Sequence, residues 1–145
     1  MLLAIVPELE KLTHIFSQAT APTFFLGSVA AFASLMSTRM ATVVGRIRQL
    51  NAIPANDPQR LHLKADVDRL KRRAKLLAQG MRDSLVAGIC ATILLAILFI
   101  SEFIGLSHAY GAGLLFLVAT AALGKGLIAF VRECGIQLAE ADEYD

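Results

Sequence analysis

The sequence predicts an all-α membrane protein: three transmembrane helices, a cytoplasmic helical hairpin between the first two, and an amphipathic helix at the N-terminus. Three observations lead there. Apolar residues make up 56% of the 145 and charged residues only 18%, where soluble chains hold about 45–50% apolar with Gly counted and about 25% charged. The apolar residues collect in three runs, Thr23–Val44, Ser84–Ile104 and Ala109–Val131, each interrupted by a single charge. The positive charge collects between the first two runs: residues 39–83 carry eleven Lys/Arg against four Asp. A mean hydropathy of +0.60 excludes an intrinsically disordered chain, which is poor in apolar residues. An ordinary soluble globule would have to expose large apolar patches.

Taken in order, residues 1–21 read as an amphipathic helix on the outer face or packed on the bundle. Leu2, Ile5, Leu9, Leu12 and Phe16 recur at three- and four-residue spacing, with Glu8, Glu10, Lys11 and His14 elsewhere. The segment lacks a basic start and a long apolar stretch, so it does not read as a signal peptide. Pro22 fits the first turn of the next helix, with Thr20 a loose capping candidate. Residues 22–44 form transmembrane helix 1, 84–104 helix 2 and 109–131 helix 3. About 20 helical residues cross a hydrocarbon core of about 30 Å, and in hydrocarbon the backbone must satisfy itself, which selects helices over strands.

The linker 45–83 holds ten Lys/Arg, and Gly105–His108 holds none. Cations near span ends favour the cytoplasmic side. The expected topology is therefore N-terminus outside, 45–83 inside and 105–108 outside, with the acidic tail 132–145 in the cytoplasm.

Residues 45–83 read as a helical hairpin broken at Ile53-Pro-Ala-Asn-Asp-Pro58. Asp57 fits an N-cap and Pro58 a first helical residue. Beyond the break, Leu63, Val67, Leu70, Ala74, Leu77 and Met81 keep the 3.5-residue period of a coiled-coil seam. Met36, Met40, Val43, Ile47 and Leu50 keep the same period before it, so the two helices can pair. Their lengths differ: span 1 runs about 12 Å past Val44, whereas a helix over 58–83 would run about 39 Å. Part of the seam is therefore expected to lack a partner within the chain. A homo-oligomer joined through it ranks first, ahead of a helix bent at Gly80 onto anionic lipid or a partner protein. Arg69, Lys71, Arg72, Arg73 and Lys75 form the basic, lipid-facing side. No motif or interleaved aromatic residues accompany these cations, so no nucleic-acid partner is expected.

Some of these residues form a recognisable pattern. Pro22-x-x-Phe25-Leu26, Thr38-Arg39 with Arg46-Ile47-Arg48-x-Leu50, Leu70-x-Arg72-Arg73-Ala74-x-Leu76-Leu77, and Ala129-Phe130-Val131-Arg132-Glu133 together resemble a membrane family catalogued as domain of unknown function 2721. The resemblance covers about residues 20–140. It implies a small multi-span protein of the bacterial inner membrane and assigns neither an activity nor a role for Lys125.

Arg39, Lys125 and Glu102 are the intramembrane charges, and such charges are functional candidates. Arg39 and Lys125 lie near the inner ends of their spans, where long stems reach the headgroups; in an oligomer they could ring a pore mouth. Glu102 lies at the outer boundary. Thr23, Gly27, Ala30, Ser34, Ser37 and Ala41 form a small, polar stripe that suits either close helix packing or a wet pore lining. Cys90 and Cys134 read as free thiols. His14, His108 and Glu102 lack metal-ligand spacing, and no catalytic motif is present. No cofactor, metal or enzymatic activity is expected. The first functional expectation is a homo-oligomeric, channel-like pore lined by transmembrane helix 1, passing a small ion. The second is a non-transporting scaffold whose basic helix binds anionic membrane lipid or a partner.

Overall fold

The computed structural model describes the backbone of residues 2–57, 60–104 and 109–142, and their side chains except 2–8, 61, 102, 103, 109 and 140–142. Three helices carry the fold: α1 (Leu2–Asn51), α2 (Asp66–Ile104) and α3 (Ala109–Asp142), with a 3-10 turn at Leu61–Ala65 leading into α2. No strand occurs among the described residues. All three helices are long and apolar enough to cross a membrane, and their most apolar stretches are only 22%, 22% and 17% buried within the chain. Large apolar side chains such as Phe24, Ile89, Leu114, Leu117 and Val131 point outward. That inverted distribution suits a lipid solvent and not water.

Helix α2 is the middle element. It packs along α1 on one side and α3 on the other, while the backbones of α1 and α3 barely approach. The packing follows seven-residue repeats. On α1 the packed positions run Ile15, Ala19, Pro22, Leu26, Val29, Ala33, Met36, Met40, Val43, Ile47 and Leu50, alternating four and three residues; every second one is fully buried from Pro22 on, and the rest beyond it are half-buried. Helix α2 answers with Val67, Leu70, Ala74, Leu77, Met81 and Ser84. A 3.5-residue repeat keeps one face of each helix toward its neighbour over many turns. Towards α3, α2 presents Gly80, which meets Gly126; Ala87 and Leu94 continue the same seven-residue series on α2 and are buried, as are Ala119 and Ala129 of α3.

The seam expected to join copies of the chain is used within it. Leu63, Val67, Leu70, Ala74, Leu77 and Met81 form one core with Met36, Met40, Val43, Ile47, Leu50 and Ile53. The length mismatch disappears for two reasons. Helix α2 begins at Asp66, with Asp66 and Asp68 in a first turn that favours acids, rather than near Pro58, which lies outside the described residues. The partner face on α1 also starts at Met36, well inside the first apolar run. Helix α2 then passes through Gly80 without interruption into the second apolar run.

Helix α1 likewise continues through residue 22. Pro22 starts no new helix: it is buried in the α1 seam, mid-helix. A proline there deprives the residue 18 carbonyl of its partner. Thr20 donates to the Phe16 carbonyl at 2.8 Å and Thr23 to the Ala19 carbonyl at 2.7 Å, so Thr20 is not a cap. Of the face named from spacing, the side chains of Leu2 and Ile5 lie outside the described residues and Leu9, Leu12 and Phe16 are exposed, while Ile15 and Ala19 are buried. The segment 132–142 is helical, as the end of α3.

Close contacts set the level of each helix. A Cβ on Gly88 would stand 3.3 Å from Val29, and one on Gly80 would meet Met36 and, at 3.2 Å, the Gly126 carbonyl. A Cβ on Gly126 would lie 3.0 Å from the Gly80 carbonyl and 3.1 Å from Ser84 Oγ. Ser84, where the second apolar run begins, is therefore level with about residue 33 of α1 and with Gly126 of α3. The apolar runs are staggered: the first extends about 11 residues, or 16 Å, beyond the level of Ser84.

Gly126→Leu should force α2 and α3 apart and cost about 1–3 kcal/mol. Gly124→Leu, with no atom within 4 Å of its would-be Cβ, should cost far less. Thermal unfolding in detergent, followed by circular dichroism, compares the two.

Candidate functional site

Near the hairpin end, one residue from each helix meets at a single carboxylate. Glu133 of α3 is fully buried. Arg73 of α2 donates to its Oε1 from Nε at 3.0 Å and from Nη2 at 2.9 Å. Arg39 of α1 donates from Nη2 to Oε2 at 2.9 Å. Both carboxylate oxygens are thus occupied by charge-assisted bonds, which are stronger than neutral ones. Arg39 also donates to the side-chain oxygen of Gln137 and, at 3.6 Å, to Cys134 Sγ, and its guanidinium lies 5.1 Å from the centre of the Phe130 ring. That last distance is within reach of a cation–π contact.

Local sequence explains how the three side chains come together. Phe25, Phe32 and Arg39 recur every seven residues on the α3-facing side of α1, and Phe116, Phe130 and Gln137 share one side of α3 at multiples of seven. Phe25 meets Phe116 edge-on and Phe32 meets Phe130 edge-on, both with ring centres 5.6 Å apart. Bulky rings hold these backbones apart while linking the helices. Arg73 belongs to the same seven-residue series as Gly80, Ala87 and Leu94, and Glu133 to that of Ala119 and Gly126. Two small glycines bring α2 and α3 into contact one level deeper, so at the next level Arg73 and Glu133 are close enough to pair.

The cluster corrects two expectations. Arg73 does not face lipid with its neighbours: it is 9% exposed and bound to Glu133, whereas Lys71, Arg72 and Lys75 are exposed and Arg69 is half-buried. Lys71 meets Asp68 at 3.7 Å. Arg39 and Lys125 do not share a ring either. Arg39 turns into the bundle, while Lys125 is exposed in a cleft between α2 and α3 with Gln79 and Arg132. The Glu102 side chain lies outside the described residues. The stripe Thr23, Gly27, Ala30, Ser34, Ser37 and Ala41 is exposed throughout and faces neither α2 nor α3. Gly124 meets no other helix, whereas Gly126 makes the close crossing. Cys90 and Cys134 are free and half-buried.

Glu133 is the residue that charge counting passes over. It sits in a segment read as an acidic tail, yet its seven-residue relation to Ala119 and Gly126 would have marked it as inward-facing. Chemically the cluster is a brace: two guanidinium groups bind one carboxylate, Arg73 at Oε1 and Arg39 at Oε2, and so tie all three helices at one level. Glu133→Gln should leave two cations without their anion and cost about 3–5 kcal/mol. Replacing the set together (Arg39→Met, Arg73→Met, Glu133→Leu) should cost less than Glu133→Gln alone. Denaturant titration of the purified variants in detergent measures both.

No curated protein and no solved structure matches the chain. A family model described as protein of unknown function (DUF2721) matches residues 19–142, a range that contains the three brace residues, both close glycines and the aromatic pairs. The chain belongs to that family.

Proposed function

We propose that the protein is a non-enzymatic scaffold of the bacterial inner membrane, with its N-terminus outside and its hairpin and C-terminus in the cytoplasm, whose basic end holds anionic lipid headgroups. One observation carries this reading. With Arg73 and Arg39 committed to Glu133, the side chains of Arg46, Arg48, Lys71, Arg72, Lys75 and Arg82 remain exposed around the same end of the bundle. Cations at one end orient a membrane protein toward the cytoplasm, and each is worth about 1 kcal/mol beside an anionic leaflet. The brace beneath them fixes the helices that carry these cations relative to one another.

In a Cys90→Ala, Cys134→Ser background, Ala55→Cys in the turn should react with an impermeant maleimide in inverted vesicles and not in intact cells; the opposite labelling would overturn the orientation. Nanodiscs holding the full chain should enrich phosphatidylglycerol over phosphatidylcholine, and added salt or Arg46→Gln with Arg48→Gln should reduce the enrichment.

A second reading, a homo-oligomer with a channel-like pathway along α1, is favoured by the exposed stripe from Thr23 to Ala41, because small residues permit close helix approach in membranes. It requires an oligomeric mass in nanodiscs and ion flux in liposomes. A monomer, or oligomers that preserve salt gradients, would dispose of it.

A further inference from the structure

The cleft between α2 and α3 has a chemistry that the brace does not use. It opens on the side of these helices away from α1 and has a volume of about 150 Å³, lined by Leu76, Gln79, Lys125, Ile128, Ala129 and Arg132. Lys125 and Arg132 stand two turns apart on one side of α3, about 10 Å along its axis, and both are exposed. Gln79 offers an amide from the facing helix, and the floor is apolar. The space takes a group of phosphate size and is too small for a whole lipid. Arg72 and Lys75 are exposed one to two turns from Gln79 on α2 and add positive charge beside the mouth.

The level of the cleft fits a headgroup. Lys125 adjoins Gly126, which meets Ser84 and Gly80, so it stands where α2 changes from the polar sequence Gln79–Asp83 to its long apolar run. On the apolar side the same two helix faces continue through Val86 and Val118, which are 44% and 47% exposed, a track for acyl chains. Asp83 is the opposing charge: it lies one turn beyond Gln79 on α2, half-buried, and its Oδ2 is enclosed without a hydrogen-bond partner. One carboxylate on α2 outside the lining does not outweigh the four cations Lys125, Arg132, Arg72 and Lys75.

We propose that this cleft is a discrete site for the phosphodiester headgroup of an anionic phospholipid, with Arg132 and Lys125 binding the phosphate, Gln79 donating to it, and the acyl chains lying toward Val86 and Val118. Basic pockets between transmembrane helices on the cytoplasmic side are suited to such headgroups. The site rests on the reading that this end of the molecule meets an anionic leaflet, and it adds a place and a stoichiometry to it.

Native mass spectrometry of the full chain released from mixed phosphatidylglycerol and phosphatidylcholine bilayers tests it. One phosphatidylglycerol should stay bound per chain, and Arg132→Gln or Lys125→Gln should each lower its occupancy about fivefold. Both side chains are exposed, so the two variants should keep wild-type helicity. Inorganic phosphate should not displace the lipid. Unchanged occupancy in Arg132→Gln, equal retention of phosphatidylcholine, or replacement of the lipid by free phosphate would each overturn the site. Arg46→Gln with Arg48→Gln, which should reduce the general enrichment around the basic end, should leave the retained lipid in place. The general scaffold reading and the discrete site can therefore fail separately.

Discussion

The carboxylate of Glu133 has no access to solvent, and a charge removed from water is tolerated only with partners that replace its hydration. Here the partners come from the two other helices, one guanidinium per oxygen. That requirement couples three choices that could otherwise vary independently: the register of α1, that of α2, and the distance of each from α3. Sliding α2 by one turn so that Leu77 stands opposite the carboxylate in place of Arg73 would leave it short of a cation. The glycine crossing of Gly80 and Gly126 and the two aromatic pairs conform to the same register, so the polar brace and the apolar packing reinforce one another. Direct apolar packing gains little specificity in lipid, where the surroundings are as apolar as the side chains. A buried ionic contact with few alternative partners suits the task of selecting one alignment.

Much of this fold could be read from hydropathy and period. The three apolar runs correspond to three helices, and the seam from Met36 to Leu50 pairs with the seam from Leu63 to Met81. These features are local: hydrophobic period reports which face of a helix is buried. It does not report what lies opposite. The α2 seam therefore read as surplus length in need of a second copy, when α1 supplies its partner from within its own apolar run. The brace was hidden for a related reason. Its ion pairs join residues 60 and more apart in the chain, and within Arg69–Lys75 charge alone makes five cations equivalent. Phase separates them: Arg73 repeats with Gly80, Ala87 and Leu94, whereas Arg72 and Lys75 repeat with outward positions.

The stagger of the apolar runs also changes the meaning of Arg39. Counted along its own helix, it lies inside a 22-residue run and reads as a charge in hydrocarbon. Beside the other helices it stands about 10 Å beyond the level of Ser84, where α2 is already polar and α3 supplies Glu133 and Gln137. Lys125 makes the same point from α3: it is embedded in apolar sequence, yet it shares a cleft with Gln79 of α2 and with Arg132. A span boundary in such a bundle is a plane across three helices, so the polarity of neighbouring helices locates it better than the end of any single run.

This placement bears on the choice between a scaffold and a conduit. A pore along α1 would need cations or dipoles free to meet an ion, and the arginine nearest the stripe is bound to Glu133 and turned the other way. Several hydroxyls on α1 are satisfied by their own helix: Thr23 bonds to Ala19, Ser28 to Phe24, Thr38 to Ser34 and Thr42 to Thr38. Hydroxyls bonded to the carbonyl four residues earlier can face lipid or another helix without water. The exposed cations Arg46, Arg48, Arg72, Lys75 and Arg82, by contrast, cannot be satisfied by hydrocarbon, and they stand around the hairpin end of the bundle. Anionic headgroups supply the charge they lack, which is why the lipid-binding reading accounts for more of the surface than a water-filled path does.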